Sequence, residues 1–106
     1  MIRLKTEVRV KGLRPEMALA ISVAEGVWAE NGAPELVITS ANDGKHKSGS
    51  LHYSFLAVDF RTHNLSSTLR EKACDELRER LGVDYDVVFE SRGTPVEHCH
   101  VEFDPK

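Results

Sequence analysis

Two segments of the chain carry apolar residues at the spacing of an α-helix, and a glycine follows each of them. The first begins at Pro15, a residue suited to the first helical position, and ends at Asn31-Gly32. The second runs from about Ser67 to Leu81, just before Gly82. Short apolar or alternating segments typical of β-strands occupy residues 2–10, 35–40, 55–61, 85–90 and 98–103. This order predicts a single α+β domain over residues 1–106, a small, mostly antiparallel sheet with two main helices.

The composition excludes several classes of protein. The chain has 106 residues, of which 41% are hydrophobic and 29% charged, enough for one modest core. Its net charge of -3 supplies no basic face, so we expect no nucleic-acid binding. No apolar run approaches the ~18 residues of a membrane span, and the N-terminus does not read as a signal peptide. We therefore expect a monomer made in the cytoplasm, with Cys74 and Cys99 as reduced thiols.

The last strand segment, HCHVEF (98–103), alternates between two faces. Its apolar positions form the expected core face, which makes Cys99 a packed thiol and turns His98 and His100 towards a cleft or solvent. The same period in the strand around Asp59 places this carboxylate opposite its apolar neighbours. Two strands therefore present imidazole or carboxylate groups on a face away from the core.

These groups suit a catalytic metal site. Neutral imidazoles with one carboxylate are a common ligand set for catalytic Zn²⁺, and His52, Asp59 and His100 would fill three positions. Glu97, three residues before His100, can take a proton from an attacking water and return it to a leaving amine. His46 lies in the polar loop before His52 and is a candidate substrate-binding residue.

Two blocks of the sequence carry a likeness to a known family. SLHYSFLAVD (50–59), followed by EHCH (97–100), resembles the zinc D-Ala-D-Ala peptidases. That family includes bacterial carboxypeptidases, dipeptidases and phage endolysins that cut the stem peptides of peptidoglycan. The resemblance covers about residues 36–103 and implies the fold shared with the hedgehog signalling domain. It also implies zinc ligands at His52, Asp59 and His100, a general base and acid at Glu97, an oxyanion-stabilising His98 and a supporting Ser50.

The sequence departs from the family pattern at two positions. Phe55 stands where the family has a glycine. Many members also carry an arginine three residues after a Thr-Ser pair, where it binds the substrate carboxylate, but Thr39-Ser40 is followed by Asp43 at that spacing. The candidates for a replacement positive charge are Lys45, His46, Lys47 and Arg61. Both a carboxypeptidase and an endopeptidase, which needs no carboxylate clamp, therefore remain open.

Two other functions compete with a peptidase that reaches the cell wall after release or in a particle. One is a metal-binding or metal-free structural or interaction domain of a phage particle, without catalysis. The other is a mononuclear iron oxygenase, because two histidines and one carboxylate also form that site. Such sites usually place one residue between the first histidine and the carboxylate, whereas six separate His52 from Asp59.

Overall fold

The computed structural model describes residues 1–41 and 56–106. Within these ranges the chain forms two α-helices and five β-strands, a small α+β domain that confirms the predicted fold class. The elements in chain order are β1 (Ile2–Leu4), α1 (Pro15–Glu30), β2 (Leu36–Ser40), β3 (Ala57–Arg61), α2 (Arg70–Leu81), β4 (Tyr85–Glu90) and β5 (His98–Phe103).

The five strands form one sheet in the order β1-β2-β3-β5-β4. β1 pairs with β2 in parallel, and the other three pairs are antiparallel, as predicted for most of the sheet. β5, the last strand in sequence, lies between β3 and β4. Side chains of β5 therefore have neighbours from both β3 and β4.

Both helices pack against one face of the sheet, where the hydrophobic core lies. Trp28 of α1 and Phe60 of β3 are fully buried, with ring centroids 5.9 Å apart. The Trp28 indole Nε1 donates a hydrogen bond to the Arg61 carbonyl oxygen at 3.0 Å, so its polar atom is satisfied inside the core. Trp28 is therefore a core aromatic residue. Neither described helix is long and apolar enough to cross a membrane.

Three predicted element boundaries were wrong by a few residues or more. The strand predicted over residues 2–10 ends at Leu4, because a turn follows in which the Val8 N–H donates to the Lys5 carbonyl oxygen and Glu7 has a positive φ of 74°. α2 begins at Arg70 instead of Ser67, after a turn over residues 66–69. β3 begins at Ala57. The first two differences arise from turn geometry that apolar periodicity does not report.

Alanine substitutions of a buried and an exposed leucine should have different effects on the free energy of unfolding. Leu77→Ala, at a fully buried side chain, should lower the free energy of unfolding by about 2–5 kcal/mol because it leaves a cavity. Leu19→Ala on α1, where the side chain is 57% exposed, is the control and should change it by less than about 0.5 kcal/mol. Urea denaturation followed by tryptophan fluorescence measures both, and equal effects would contradict the packing described here.

Candidate functional site

The register between β3 and β5 places the predicted polar residues side by side. Asp59 lies directly opposite His100, and Arg61 lies opposite His98. Residues directly opposite each other in an antiparallel pair point to the same face of the sheet. The neighbouring residues that alternate with these four are buried against the helices: Val58, Phe60, Cys99 and Val101. The polar group therefore occupies the sheet face opposite the core.

Asp59 and His100 are in direct contact. The Asp59 Oδ1 lies 2.7 Å from the His100 Nδ1, and the Glu102 Oε1 lies 2.7 Å from the His100 Nε2. A carboxylate only accepts hydrogen bonds, so the two contacts together require a proton on each ring nitrogen. Burial lowers the pKa of His100, but the hydrogen bonds and charges of Asp59 and Glu102 outweigh burial and raise it to about 9. His100 is therefore an imidazolium at neutral pH when no metal is bound.

β4 contributes a residue that the sequence analysis missed. Glu90 lies opposite His98, and its Oε1 is 3.3 Å from the His98 Nε2. The same His98 nitrogen lies 3.8 Å from the Asp59 Oδ1. One ligand atom each from Asp59, Glu90 and His98 lies within 4.8 Å of the other two, so these three groups are positioned to hold a metal ion.

The hydrogen bonding of His98 also bears on this grouping. Its Nδ1 lies 2.8 Å from the Val96 carbonyl oxygen, which only accepts, so the Nδ1 carries a proton. In the neutral ring, the Nε2 then presents a lone pair towards the carboxylates of Asp59 and Glu90. A metal ion between these groups would be attracted by both carboxylates and could be bound by the lone pair of the Nε2.

The structure thus brings together part of the predicted ligand set and adds to it. Asp59 and His100 are adjacent, and His98 and Glu90 join Asp59 in a second arrangement. His52, the third predicted ligand, lies outside the described residues, as do the predicted substrate-binding residues Ser50 and His46 and the departure at Phe55. Their roles stay predictions. The order of the strands would have been needed to identify Glu90.

Glu97 is held in place by three donors. The Thr62 hydroxyl donates to its Oε1 at 2.6 Å, the Gly93 N–H donates to its Oε2 at 2.8 Å, and the Arg70 guanidinium lies 3.4 Å from the Oε1. Its side chain is only 4% exposed. Burial raises the pKa of Glu97, but the hydrogen bonds from Gly93 and Thr62, with the charges of Arg70 and His63, outweigh burial and lower it. Glu97 is therefore ionised at neutral pH, and the donors that the structure describes leave one acceptor direction of its Oε2 open.

A cavity of about 240 Å³ connects Glu97 with the other polar groups. Four of the predicted site residues line it: Asp59, Arg61, Glu97 and His98. The remaining lining residues come from the end of β1, from β2 and from the segments flanking β3 and β5: Lys5, Thr39, Ser40, His63, Pro95 and Val96. Lys5 and His63 had not been predicted to border the site.

The two cysteines lie on the core side of the sheet. Both are free and buried, and Cys99 is fully covered, as predicted for a packed thiol. A hydrogen bond with the Cys74 thiol, together with burial, raises the pKa of Cys99 well above its ordinary value. A protonated thiol that points away from the cavity cannot serve as a ligand there.

The contacts of His100 predict a pH dependence for the stability of the metal-free protein. Its folded pKa of about 9 is above the unfolded value of about 6.5, so its contribution is complete at low pH and is lost as the pH rises. The free energy of unfolding should fall by about 2 kcal/mol between roughly pH 6.5 and pH 8.5. Urea denaturation of chelator-treated protein across this range measures the slope. In His100→Gln the slope should flatten, and an unchanged slope would contradict the pairing with Asp59 and Glu102.

The chain was compared with models of known protein families, with curated proteins and with solved structures. No family model matches it, and neither a curated protein nor a solved structure does. The assignment to the zinc D-Ala-D-Ala peptidases therefore stays a resemblance carried by residues 50–59 and 97–100.

Proposed function

We propose that the protein is a zinc-dependent peptidase that hydrolyses the stem peptides of peptidoglycan, as a carboxypeptidase or an endopeptidase. The observation that carries the proposal is the convergence of Asp59, Glu97 and His98 on one small polar cavity, with His100 hydrogen-bonded to Asp59. The resemblance supplies the family and, with it, a hedgehog-like arrangement of the domain. Action on the cell wall, after release from the cell or delivery in a particle, belongs to the same proposal.

The donor groups fit zinc. Imidazole nitrogens combined with carboxylate oxygens are ordinary zinc ligands, and the Asp59, Glu90 and His98 atoms lie close enough to share one ion. The resemblance favours Asp59 and His100 with His52 as the third ligand. In either arrangement Asp59 is a ligand. When bound, zinc supplies a Lewis acid that polarises a peptide carbonyl and lowers the pKa of a water molecule.

Glu97 is the group proposed to move protons. It is ionised at neutral pH, and its neighbours Thr62, Gly93 and Arg70 hold it against the cavity wall. The free acceptor direction of its Oε2 can receive a proton from a water that attacks the peptide carbonyl. The same carboxyl group then returns the proton to the departing amine, which is a poor leaving group without it.

The role of His98 depends on which ligand arrangement forms. With its Nδ1 proton donated to Val96, a neutral His98 has only a lone pair on the cavity side and acts as a ligand with Asp59 and Glu90. A protonated His98 would instead donate from its Nε2 to the developing oxyanion, as the resemblance implies. Glu90 is the residue whose removal separates these two roles.

A non-catalytic domain is the second candidate, and the hydrogen bonding of Glu97 favours it. Its two oxygens accept from the turn before β5, from Thr62 after β3 and from Arg70 at the start of α2. A buried carboxylate with these contacts also suffices to fasten three parts of the fold together. A measurement of peptide hydrolysis distinguishes a structural role of Glu97 from a role as general base.

The protein should bind about one zinc ion per chain. Asp59→Ala should lower zinc occupancy in both ligand arrangements, whereas Cys99→Ser should leave it unchanged because the thiol lies on the core side. Mass spectrometry of the native protein and metal analysis after gel filtration give the occupancy. Full zinc retention in Asp59→Ala would contradict both arrangements.

Two further variants assign the remaining ligands. If zinc is held by His52, Asp59 and His100, His52→Ala should lose the metal and Glu90→Gln should keep it. If the described trio of Asp59, Glu90 and His98 holds the ion, the results should be reversed. The same metal analysis distinguishes them.

Glu97→Gln should lower peptide hydrolysis by roughly 100-fold or more, because the amide keeps the size of the side chain but cannot accept a proton. Zinc content should stay at the parent value. Glu79→Gln, on the exposed side of α2, is the matched control and should keep full activity. Release of products from purified muropeptides, followed by chromatography, measures the rate, and circular dichroism verifies folding. Equal rates for Glu97→Gln and the parent would remove Glu97 from the mechanism, and loss of zinc would make it a ligand.

A further inference from the structure

A groove of about 430 Å³ runs along the edge of the sheet, between β1 and α1. Every described residue that lines it is apolar. Ile2 and Leu4 contribute the strand side, and Leu13 and Ile21 contribute the side of α1 and the segment before it. The two β1 side chains remain 43% and 40% exposed. The groove is therefore apolar surface at the margin of the hydrophobic core, a kind of surface that often marks a binding site.

The backbone of β1 adds hydrogen-bonding groups to this surface. β1 is an edge strand of the described sheet, with β2 on one side of it. The Lys5 N–H donates to the Ile38 carbonyl oxygen at 2.9 Å, and the Met1 carbonyl oxygen accepts from β2 at 2.8 Å. Because bonds to one neighbouring strand come from alternate residues, Ile2 and Leu4 point their N–H and C=O groups away from β2. These are the groups that an added strand would bond.

The segment that contains β1 is basic, whereas the rest of the chain is acidic. Residues 1–15 hold five of the 14 lysines and arginines but one of the 17 aspartates and glutamates. The five basic residues are all exposed: Arg3, Lys5, Arg9, Lys11 and Arg14. Glu35 forms an ion pair with Arg3 and offsets one of these charges. A ligand of the groove should therefore be apolar where it enters and negatively charged beside it.

The alternation of β1 specifies where these two properties lie along a ligand. Ile2 and Leu4 share the face of the groove, and Arg3, between them, points to the other face of the sheet. A strand added along β1 continues this alternation. Its residues next to Ile2 and Leu4 enter the groove, and the residue between these two lies beside Arg3. The ligand that fits is an extended segment with the order apolar, acidic, apolar.

We propose that β1 and its groove bind an extended acidic and apolar segment of another protein, which adds to the sheet as a further strand. Charge disfavours a second copy of this chain, because symmetric pairing of two β1 strands would place Arg3 and Lys5 of both copies together. A short edge strand with basic residues is also a common protection against pairing between copies. The groove shares no described residue with the cavity that contains Glu97, so the inference does not depend on the proposed peptidase function.

Two acetylated and amidated heptapeptides test the charge requirement. One alternates valine with glutamate, and the other alternates valine with lysine. Nuclear magnetic resonance titration of the whole chain measures both dissociation constants and the shifts of the Ile2 and Leu4 amides. The glutamate peptide should bind about ten-fold tighter than the lysine peptide and shift both amides. Equal affinity of the two peptides, or tighter binding of the lysine peptide, would overturn the proposal.

Methylation of the peptide backbone tests the addition of a strand. One version of the glutamate peptide is N-methylated at its valines, and the other at its glutamates. These two sets of N–H groups lie on opposite edges of an extended peptide, and only one edge meets β1. One version should therefore lose about ten-fold or more in affinity, the valine version for an antiparallel strand and the glutamate version for a parallel strand, while the other binds like the unmethylated peptide. Equal affinities of the two versions would contradict strand addition.

Two leucine variants then locate the binding site. Leu4→Ser should weaken binding of the glutamate peptide by about ten-fold, because it removes apolar surface from the groove. Leu19→Ser, at an exposed leucine of α1 that does not line the groove, is the matched control and should bind like the parent. Arg3→Glu should reduce the preference for the glutamate peptide over the lysine peptide, a ratio that a partial loss of folded protein would not change.

Two outcomes of these variants would overturn the proposal. Equal binding by Leu4→Ser and Leu19→Ser would place the peptide outside the groove. A dimer of the parent in analytical ultracentrifugation that Leu4→Ser converts to a monomer would assign the groove to a second copy of the chain.

Discussion

The antiparallel register between β3 and β5 is the constraint on which the site depends. It sets Asp59 opposite His100 and Arg61 opposite His98, so the contacts among these four side chains depend on this pairing. Side chains of a strand alternate between faces, and a slip of one residue would exchange the two faces of β5. His98 and His100 would then enter the helix-covered core, and Cys99 would reach the cavity. The position of each imidazole is therefore a property of the sheet as a whole.

The hydrophobic face of the same two strands makes that slip costly. Phe60 and Cys99 lie opposite each other and are fully buried beneath the helices, and Trp28 packs on Phe60 from α1. Moving His100 into this space would bury an imidazolium without its carboxylate partners, at a cost of several kcal/mol. Apolar burial on one face thus fixes the geometry of charge on the other. The hydrogen bond from the Trp28 indole to the Arg61 carbonyl oxygen connects the core directly to a residue that lines the cavity.

The sequence was sufficient for features that depend on local periodicity. The period of two in residues 98–103 predicted which β5 residues face the core, and the spacing of apolar residues predicted both helices. It could not predict the contact of Glu90 with His98 or the position of Lys5 at the cavity, because both depend on the order of strands in the sheet. The donors around Glu97 come from a turn, a loop and a helix, which no single pattern connects. The roles of His46, Ser50 and His52, and the hedgehog-like arrangement, stay predictions.

The distribution of charge around His100 is the physical reason to look for a cation on this face of the sheet. Asp59, Glu90 and Glu102 come from three neighbouring strands, and each places a carboxylate oxygen within 3.9 Å of a His100 ring nitrogen. Apart from the other contacts of these groups, the three carboxylates carry two more formal charges than the one imidazolium offsets, which makes this region attractive to a cation. Exposed Glu90 is partly screened by solvent, whereas Asp59, at 14% exposure, is screened far less. A divalent ion beside Asp59 would balance the excess, but if His100 is a ligand it must first lose a proton. Metal binding and protonation of His100 would then be in direct competition, and the affinity for the metal would rise with pH as the imidazolium is lost.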